Sequence, residues 1–236
     1  MPFRVVFEDD SIFIVDKPQG LATTPGKNPS LCEEVFARLP DLAVVKGYKP
    51  GEGGLLHRLD NETGGLVLFA KTGQAFRYYA LQMKEEKIIK HYTAVVTRKP
   101  PAESGVITVP IAHHFKSKKK MVVAAGRDTV PGSITRGSRA RPVKYRGRPQ
   151  PAQTQWRVIG PHEYGFLLKV TITKGVRHQI RVHLAYAGMP IAGDKLYYLR
   201  GEAVTPELPR HLLYASGIEF RLFRGKPINL KIPAAF

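Results

Sequence analysis

From residue 166 to residue 173 the chain alternates with a period of two. Phe166, Leu168, Val170 and Ile172 interleave with Leu167, Lys169, Thr171 and Thr173, the pattern of a strand with one face more apolar than the other. Such a run demands a sheet, because its apolar row must be covered while its backbone pairs with neighbouring strands. Shorter β-rich runs recur at 4–7, 11–16, 66–71, 90–97 and 155–159. Helical signals are fewer. Ser30-Leu31-Cys32-Glu33 has the form of a capping box and predicts a short helix ending before Pro40, while 73–87 has helical composition behind a Thr72 cap. A third helix is expected over 177–187, closed by Gly188 and Pro190. Strands outnumber helices and do not alternate with them, so the expected fold class is α+β: a mixed, mainly antiparallel sheet with flanking helices.

The 236 residues are 43% hydrophobic, enough for a packed core in one large domain or two small lobes. The net charge of +18 favours a polyanionic partner, either nucleic acid or an anionic membrane surface. No apolar run approaches the roughly 18 residues needed to cross a bilayer, and Asp9, Asp10 and Asp16 interrupt the first stretch. With no visible leader or anchor, and with a lone Cys32 that cannot form an intrachain disulfide, a reducing, cytoplasmic setting and a monomer are expected. His178 and His183 are five apart rather than four, adjacent His113 and His114 diverge, and no Cys pair assists, so no metal site is expected. No Gly-rich phosphate loop of either common type is present, so no nucleotide cofactor is indicated.

One segment departs in composition. Residues 113–152 hold eleven Lys and Arg, namely Lys116, Lys118, Lys119, Lys120, Arg127, Arg136, Arg139, Arg141, Lys144, Arg146 and Arg148, against the single acid Asp128. Pro131, Gly132, Ser133, Gly137, Ser138, Pro142, Gly147, Pro149 and Pro151 argue against regular structure in its second half. The segment reads either as a solvated flexible insertion or as an arm that tracks a phosphate backbone; the charge favours the arm.

Chemistry concentrates in residues 57–72, His-Arg-Leu-Asp-Asn-Glu-Thr-Gly-Gly-Leu-Val-Leu-Phe-Ala-Lys-Thr. In extended backbone Arg58 and Asp60 would share one face, with His57 and Leu59 on the other. Gly64 and Gly65 would then permit a sharp turn into an apolar strand. Taken alone, this stretch is equally a polar corner leading into a strand.

At full length the segment resembles the signature of the RluA-type RNA pseudouridine synthases: His-Arg-Leu-Asp, two variable residues, Thr-Ser-Gly, then an apolar strand ending in Ala-Lys. The resemblance continues in order along nearly the whole chain. Val6-Phe7-Glu8-Asp9-Asp10 and Ile14-Val15-Asp16-Lys17-Pro18-Gln19-Gly20 are similar to the family's opening strands and Lys-Pro-x-Gly turn. Lys90-His91-Tyr92-Thr93-Ala94-Val95-Val96 resembles its second motif, and Ala152-Gln153-Thr154-Gln155-Trp156 its Ala-x-Thr strand. His178-Gln179-Ile180-Arg181-Val182-His183-Leu184, followed by Gly188-Met189-Pro190-Ile191-Ala192-Gly193-Asp194, resembles its third motif.

The resemblance implies a single catalytic domain over 1–236 with a central cleft, a basic insertion at about 113–152 and no separate N-terminal RNA-binding domain. It also implies isomerisation of a specific uridine in a stem-loop of ribosomal or transfer RNA, without a cofactor. Asp60 is the catalytic carboxylate, as nucleophile toward the sugar or as base; Tyr92 is the ring that stacks on the flipped uracil, its hydroxyl a candidate acceptor of the C5 proton; Arg181 is the cation that orients the carboxylate. Standing alone, Tyr92 would be a core aromatic and Arg181 a surface helix residue. Arg58 carries over as the side chain that enters the space left by the flipped base. His57, Lys116, Lys118, Lys119, Lys120, Arg177 and His178 are the remaining RNA-binding candidates. The sequence departs from the pattern at Gly64, where the family has Ser, at Lys174-Gly175-Val176-Arg177, and in the length of the basic insertion. Two other readings stay open here, a non-catalytic RNA-binding protein that keeps the fold and a base-excising RNA hydrolase.

Overall fold

The computed structural model describes residues 3–26, 28–124, 144–198 and 207–236. Among them, in chain order, are β1 (Arg4–Glu8), β2 (Ile12–Lys17), α1 (Leu31–Arg38), β3 (Gly64–Ala70), α2 (Gly73–Lys84) and β4 (Ile89–Val96). There follow β5 (Ser104–Ile107), β6 (Ile111–His114), β7 (Met121–Val123), β8 (Tyr145–Gln150), β9 (Thr154–His162) and β10 (Gly165–Ile172). The last elements are α3 (Gln179–Tyr186), β11 (Leu213–Arg221) and β12 (Pro227–Lys231). The mixed α+β class with a mainly antiparallel sheet is as expected. The chain divides into two compact units, Met1–Thr93 with Leu213–Phe236, and Ala94–Leu212.

In the first unit β1 pairs with β2 and β2 with β3, both antiparallel, and β3 runs parallel to β11, which pairs antiparallel with β12. Ile12, Ile14, Leu66, Leu68, Ile218 and Phe220 form its core with Ala75, Phe76 and Tyr79 of α2. Each fully buried aliphatic side chain here contributes roughly 1.5–3 kcal/mol. The caps predicted from sequence are present: Ser30 and Glu33 close a reciprocal capping box on α1, and Thr72 accepts from the Ala75 amide at the start of α2. Each cap is worth about 1 kcal/mol.

The glycine pair behaves otherwise than expected. Gly64 and Gly65 open β3 instead of making a turn before it, and they pair with Tyr214 and Ala215 of the parallel strand. A Cβ on Gly64 would run into the Tyr214 ring, and one on Gly65, which sits at φ 111°, into the Ala215 carbonyl. Close approach of β11 is what requires glycine at both positions. The missing Ser hydroxyl of the family pattern thus lies where the Tyr214 ring fills the space.

In the second unit β9 pairs antiparallel with β10 and β5. Helix α3 begins later than the predicted 177, because His178 takes the left-handed conformation, φ 55°, and ends the helical path at Gln179. His183 of α3 is a satisfied core histidine, bonded to Thr154 Oγ1 at 2.8 Å and the Val109 carbonyl at 2.9 Å. The second half of the basic segment is partly regular, against expectation. Strand β8 pairs with β6, which also pairs with β7, giving a three-stranded sheet. Pro149 is tolerated because β8 is an edge strand, and Gly147, at φ 73°, lies where the register shifts. Arg127, Asp128, Arg136, Arg139 and Arg141 lie outside the described residues.

Candidate active site

Residues 57–60 form no strand, yet their backbone is tied at several points. The Lys17 ammonium, fully buried, donates to the carbonyls of Pro18 (3.0 Å), Leu21 (2.7 Å) and Asn61 (3.2 Å). The Gly20 amide donates to the same Asn61 carbonyl at 2.7 Å, and Gly20 reaches it through φ 91°. Thr23 Oγ1 donates to the Leu59 carbonyl at 2.8 Å and accepts from the Leu59 amide at 3.2 Å. The Thr63 amide closes onto the Asp60 carbonyl at 3.0 Å. The Lys-Pro-x-Gly turn and Thr23 together clamp the chain on both sides of Asp60, the turn at Asn61 and Thr23 at Leu59. Residue-by-residue burial follows the expected alternation: Arg58 is exposed, 3.9 Å from Glu52 Oε1, while Leu59 is buried.

Strand β4 brings Tyr92 into the same unit. Its ring is buried, and burial, reinforced by the charge of Asp60, pushes the hydroxyl well above the usual tyrosine range. The phenol is therefore protonated at neutral pH, with Asp60 near enough to act on it. Two positions earlier on the same buried row sits Lys90. Burial lowers its ammonium to about 8, partly offset by Glu86. His57 completes the group. Its Nε2 is shielded from solvent with no hydrogen-bond partner among the described residues, and burial together with the charge of Lys90 lowers the imidazole to about 3.

In the second unit Arg181 projects from α3 and is buried, with Nε 2.7 Å from Asp194 Oδ2 and Nη2 2.9 Å from Asp194 Oδ1. This is a bidentate pair, the geometry that fixes a guanidinium plane. Burial by itself would raise the Asp194 carboxyl, but the hydrogen bonds and charge of Arg181, helped by His211 and the Leu196 amide, hold it below its ordinary value. The guanidinium also lies 5.2 Å over the Tyr197 ring. The Tyr197 hydroxyl accepts from the Met121 amide and shares a hydrogen bond with His178 Nδ1, each at 2.7 Å. Lys116, Lys118, Lys119 and Lys120 occupy the β6–β7 turn, folded by His114 Nδ1 and Ser117 Oγ accepting from its amides. Arg177 Nη1 donates to the Lys118 carbonyl at 3.3 Å.

Among the sequence candidates, then, His57, Asp60 and Tyr92 are gathered in one unit, with Arg58 pointing to solvent beside them. Arg177, His178, Arg181 and the lysine turn are gathered in the other. Sequence reasoning passed over Lys17, Lys90, Asp194 and Tyr197. The signal for Lys90 was visible: a lysine on the row of Tyr92 and Ala94, where an apolar residue would be expected.

The architecture is shared with two human proteins of solved structure. RNA Pseudouridylate Synthase Domain Containing 4 superposes with TM-score 0.72 at 23% identity, covering 98% of this chain and 88% of that one. RNA Pseudouridylate Synthase Domain Containing 1 gives 0.71 at 19%, covering 98% and 83%. The fold is that of pseudouridylate synthase domains. A family model described as RNA pseudouridylate synthase matches residues 11–186, and the chain belongs to that family. Similar sequences include Ribosomal large subunit pseudouridine synthase D of Nitrosomonas europaea, 32% identical over 228 residues, 93% of this chain and 58% of that protein. The protein of the same description from Xanthomonas campestris pv. campestris is 31% identical over 248 residues, 99% of this chain and 66% of that protein. The chain spans about 60% of the length of the first curated relatives it matches.

Proposed function

We propose that this protein isomerises a uridine of folded RNA to pseudouridine, and that its target lies in ribosomal RNA. The observation that carries the reading is Asp60 itself, a carboxylate on a clamped backbone within electrostatic reach of the buried Tyr92. The reaction breaks the C1′–N1 bond, turns the uracil and joins C5 to C1′; the C5 proton passes to an acceptor and N1 takes up a proton, so that the product is an isomer of the substrate. Atoms and electrons balance without a redox partner or group donor. Asp60 supplies the carboxylate, either attacking the sugar or removing a sugar proton. Tyr92 stacks on the loose base, and its protonated hydroxyl can take up the C5 proton only as it passes its own onward. Arg181, oriented by Asp194, is the cation assigned to the reaction.

Arg58, exposed, enters the space left by the flipped nucleotide. The lysine turn of Lys116, Lys118, Lys119 and Lys120, together with Arg177 and His178, contacts the RNA backbone, and His57 lies against the bound nucleotide. The names of the relatives favour a ribosomal target over a transfer RNA stem-loop. Residues 1–236 act in this proposal as one catalytic domain, as a monomer, in the cytoplasm. Among the described residues no helix is long and apolar enough to cross a membrane.

The test is incubation of the protein with unmodified ribosomal and transfer RNA, followed by site-resolved mapping of pseudouridine. A new position is expected with the unsubstituted protein and none with Asp60→Asn, whose RNA affinity stays within a few-fold because only a charge repelled by phosphate is removed. Product formed by Asp60→Asn would overturn the assignment, and free uracil released in place of pseudouridine would indicate a base-excising hydrolase.

A further inference from the structure

On the face of β5, β9 and β10 turned away from α3, Gln155, Arg157 and Lys169 are exposed among the described residues. Along β9 the side chains alternate. Thr154 and Trp156 are buried, Thr154 Oγ1 meeting His183 and Gln179 of α3. Gln155, Arg157 and Ile159 face the opposite side. Gly105, opposite Trp156 in the register, leaves room for the indole and lets β5 lie close against β9.

The register then assembles two cross-strand rows. Ser104, Arg157 and Lys169 stand side by side on β5, β9 and β10, with Val106, Gln155 and Thr171 in the next row. These residues line a groove of about 380 Å³. Arg157 and Lys169 are directly opposed, so their Cβ atoms stand roughly 5 Å apart, and like charges in that position disfavour folding. Neither makes an ion pair with a described residue. Both are exposed, so core packing gives no reason for them. An anion seated between them would reverse the repulsion, and the Ser104 hydroxyl and the Gln155 amide supply neutral donors around it.

We propose that this groove binds the phosphodiester backbone of the RNA, as a second binding surface on the face of its unit opposite the helix that bears Arg181. The proposal rests on the RNA reading above, and charge complementarity selects the occupant: the chain carries +18 and belongs to a family named for RNA. Two phosphates bound here hold a part of the RNA that the reacting nucleotide does not reach.

The experiment compares the salt dependence of RNA binding for Arg157→Gln/Lys169→Gln with that of Lys226→Gln/Lys231→Gln, two exposed cations of the other unit removed at equal cost in net charge. All substituted side chains are exposed, so thermal unfolding serves as the folding check: it should not fall in either variant, and relief of the Arg157–Lys169 repulsion should raise it slightly in the first. The slope of log K against log salt should shrink by roughly 1.4 to 1.8 in the first variant, at about 0.7 to 0.9 per phosphate, and stay near the original in the second. Arg157→Lys, which keeps the charge, should retain nearly the full slope. An unchanged slope in Arg157→Gln/Lys169→Gln, or an equal loss in the control, overturns the proposal. Binding is read without turnover, so a failure of the isomerase reading in the Asp60→Asn mapping shows separately.

Discussion

At His57 the fold fixes a protonation state. Its imidazole falls from the ordinary 6.5 to about 3 because burial and the Lys90 charge both oppose a second positive group. Between those two values the unfolded chain binds the proton that the folded one refuses, so His57 costs stability as pH falls from 6.5 toward 3 and costs nothing above that window. His57→Gln should accordingly flatten the acid limb of a plot of unfolding free energy against pH, by on the order of 2 kcal/mol at pH 3, since part of the ring still meets solvent. An unaltered acid limb would mean that the imidazole titrates freely. Much of this corner could be read from the sequence. Asp60 and Tyr92 were singled out by the motifs that resemble the family, whereas Tyr92 in its strand alone reads as a core aromatic. Lys90 was passed over because a lysine on a strand normally faces water, although it shares the row of Tyr92 and Ala94, which the fold buries.

Among the elements, the Lys17 turn decides how firmly Asp60 is held. Three carbonyls converge on one buried ammonium, one of them 44 residues away in sequence. Lys17→Met would keep the chain's bulk while removing the donor from the Pro18 and Leu21 carbonyls, the Asn61 carbonyl keeping only the Gly20 amide, so we expect a loss of about 3 kcal/mol in urea denaturation. Turnover should fall further than RNA affinity, because the carboxylate loses its fixed position. Equal falls in both would point to a general loosening of the unit. The capped starts of α1 and α2 were legible because each is settled within four residues. The start of α3 was not, since the left-handed turn at His178 accompanies a bond from its ring to Tyr197, nineteen residues on.

For the whole molecule, under the proposed role in RNA binding, the charge of +18 would serve only where particular cations meet phosphate. Replacing Lys116, Lys118, Lys119 and Lys120 by Gln should reduce the salt slope of RNA binding by roughly 0.7 to 0.9 for each phosphate no longer neutralised. Titration of RNA binding over a series of salt concentrations measures it, and a slope equal to that of the unsubstituted protein would remove the turn from the interface. The turn is suited to the proposed role, because backbone amides within it are satisfied by His114 and Ser117, which holds its shape.

By itself the sequence determined the family, the α+β class and the elements whose signals are local, because caps and period-two rows depend on neighbours a few residues apart. The tertiary structure decided that Gly64 and Gly65 admit a parallel strand that follows them by about 150 residues, that Lys17 is a buried clamp, that Arg181 is held by Asp194, and that part of a Pro- and Gly-rich segment forms a sheet edge. Each of these depends on which distant backbone or side chain arrives alongside, and burial and pairing energies between remote residues leave no periodic trace in the chain.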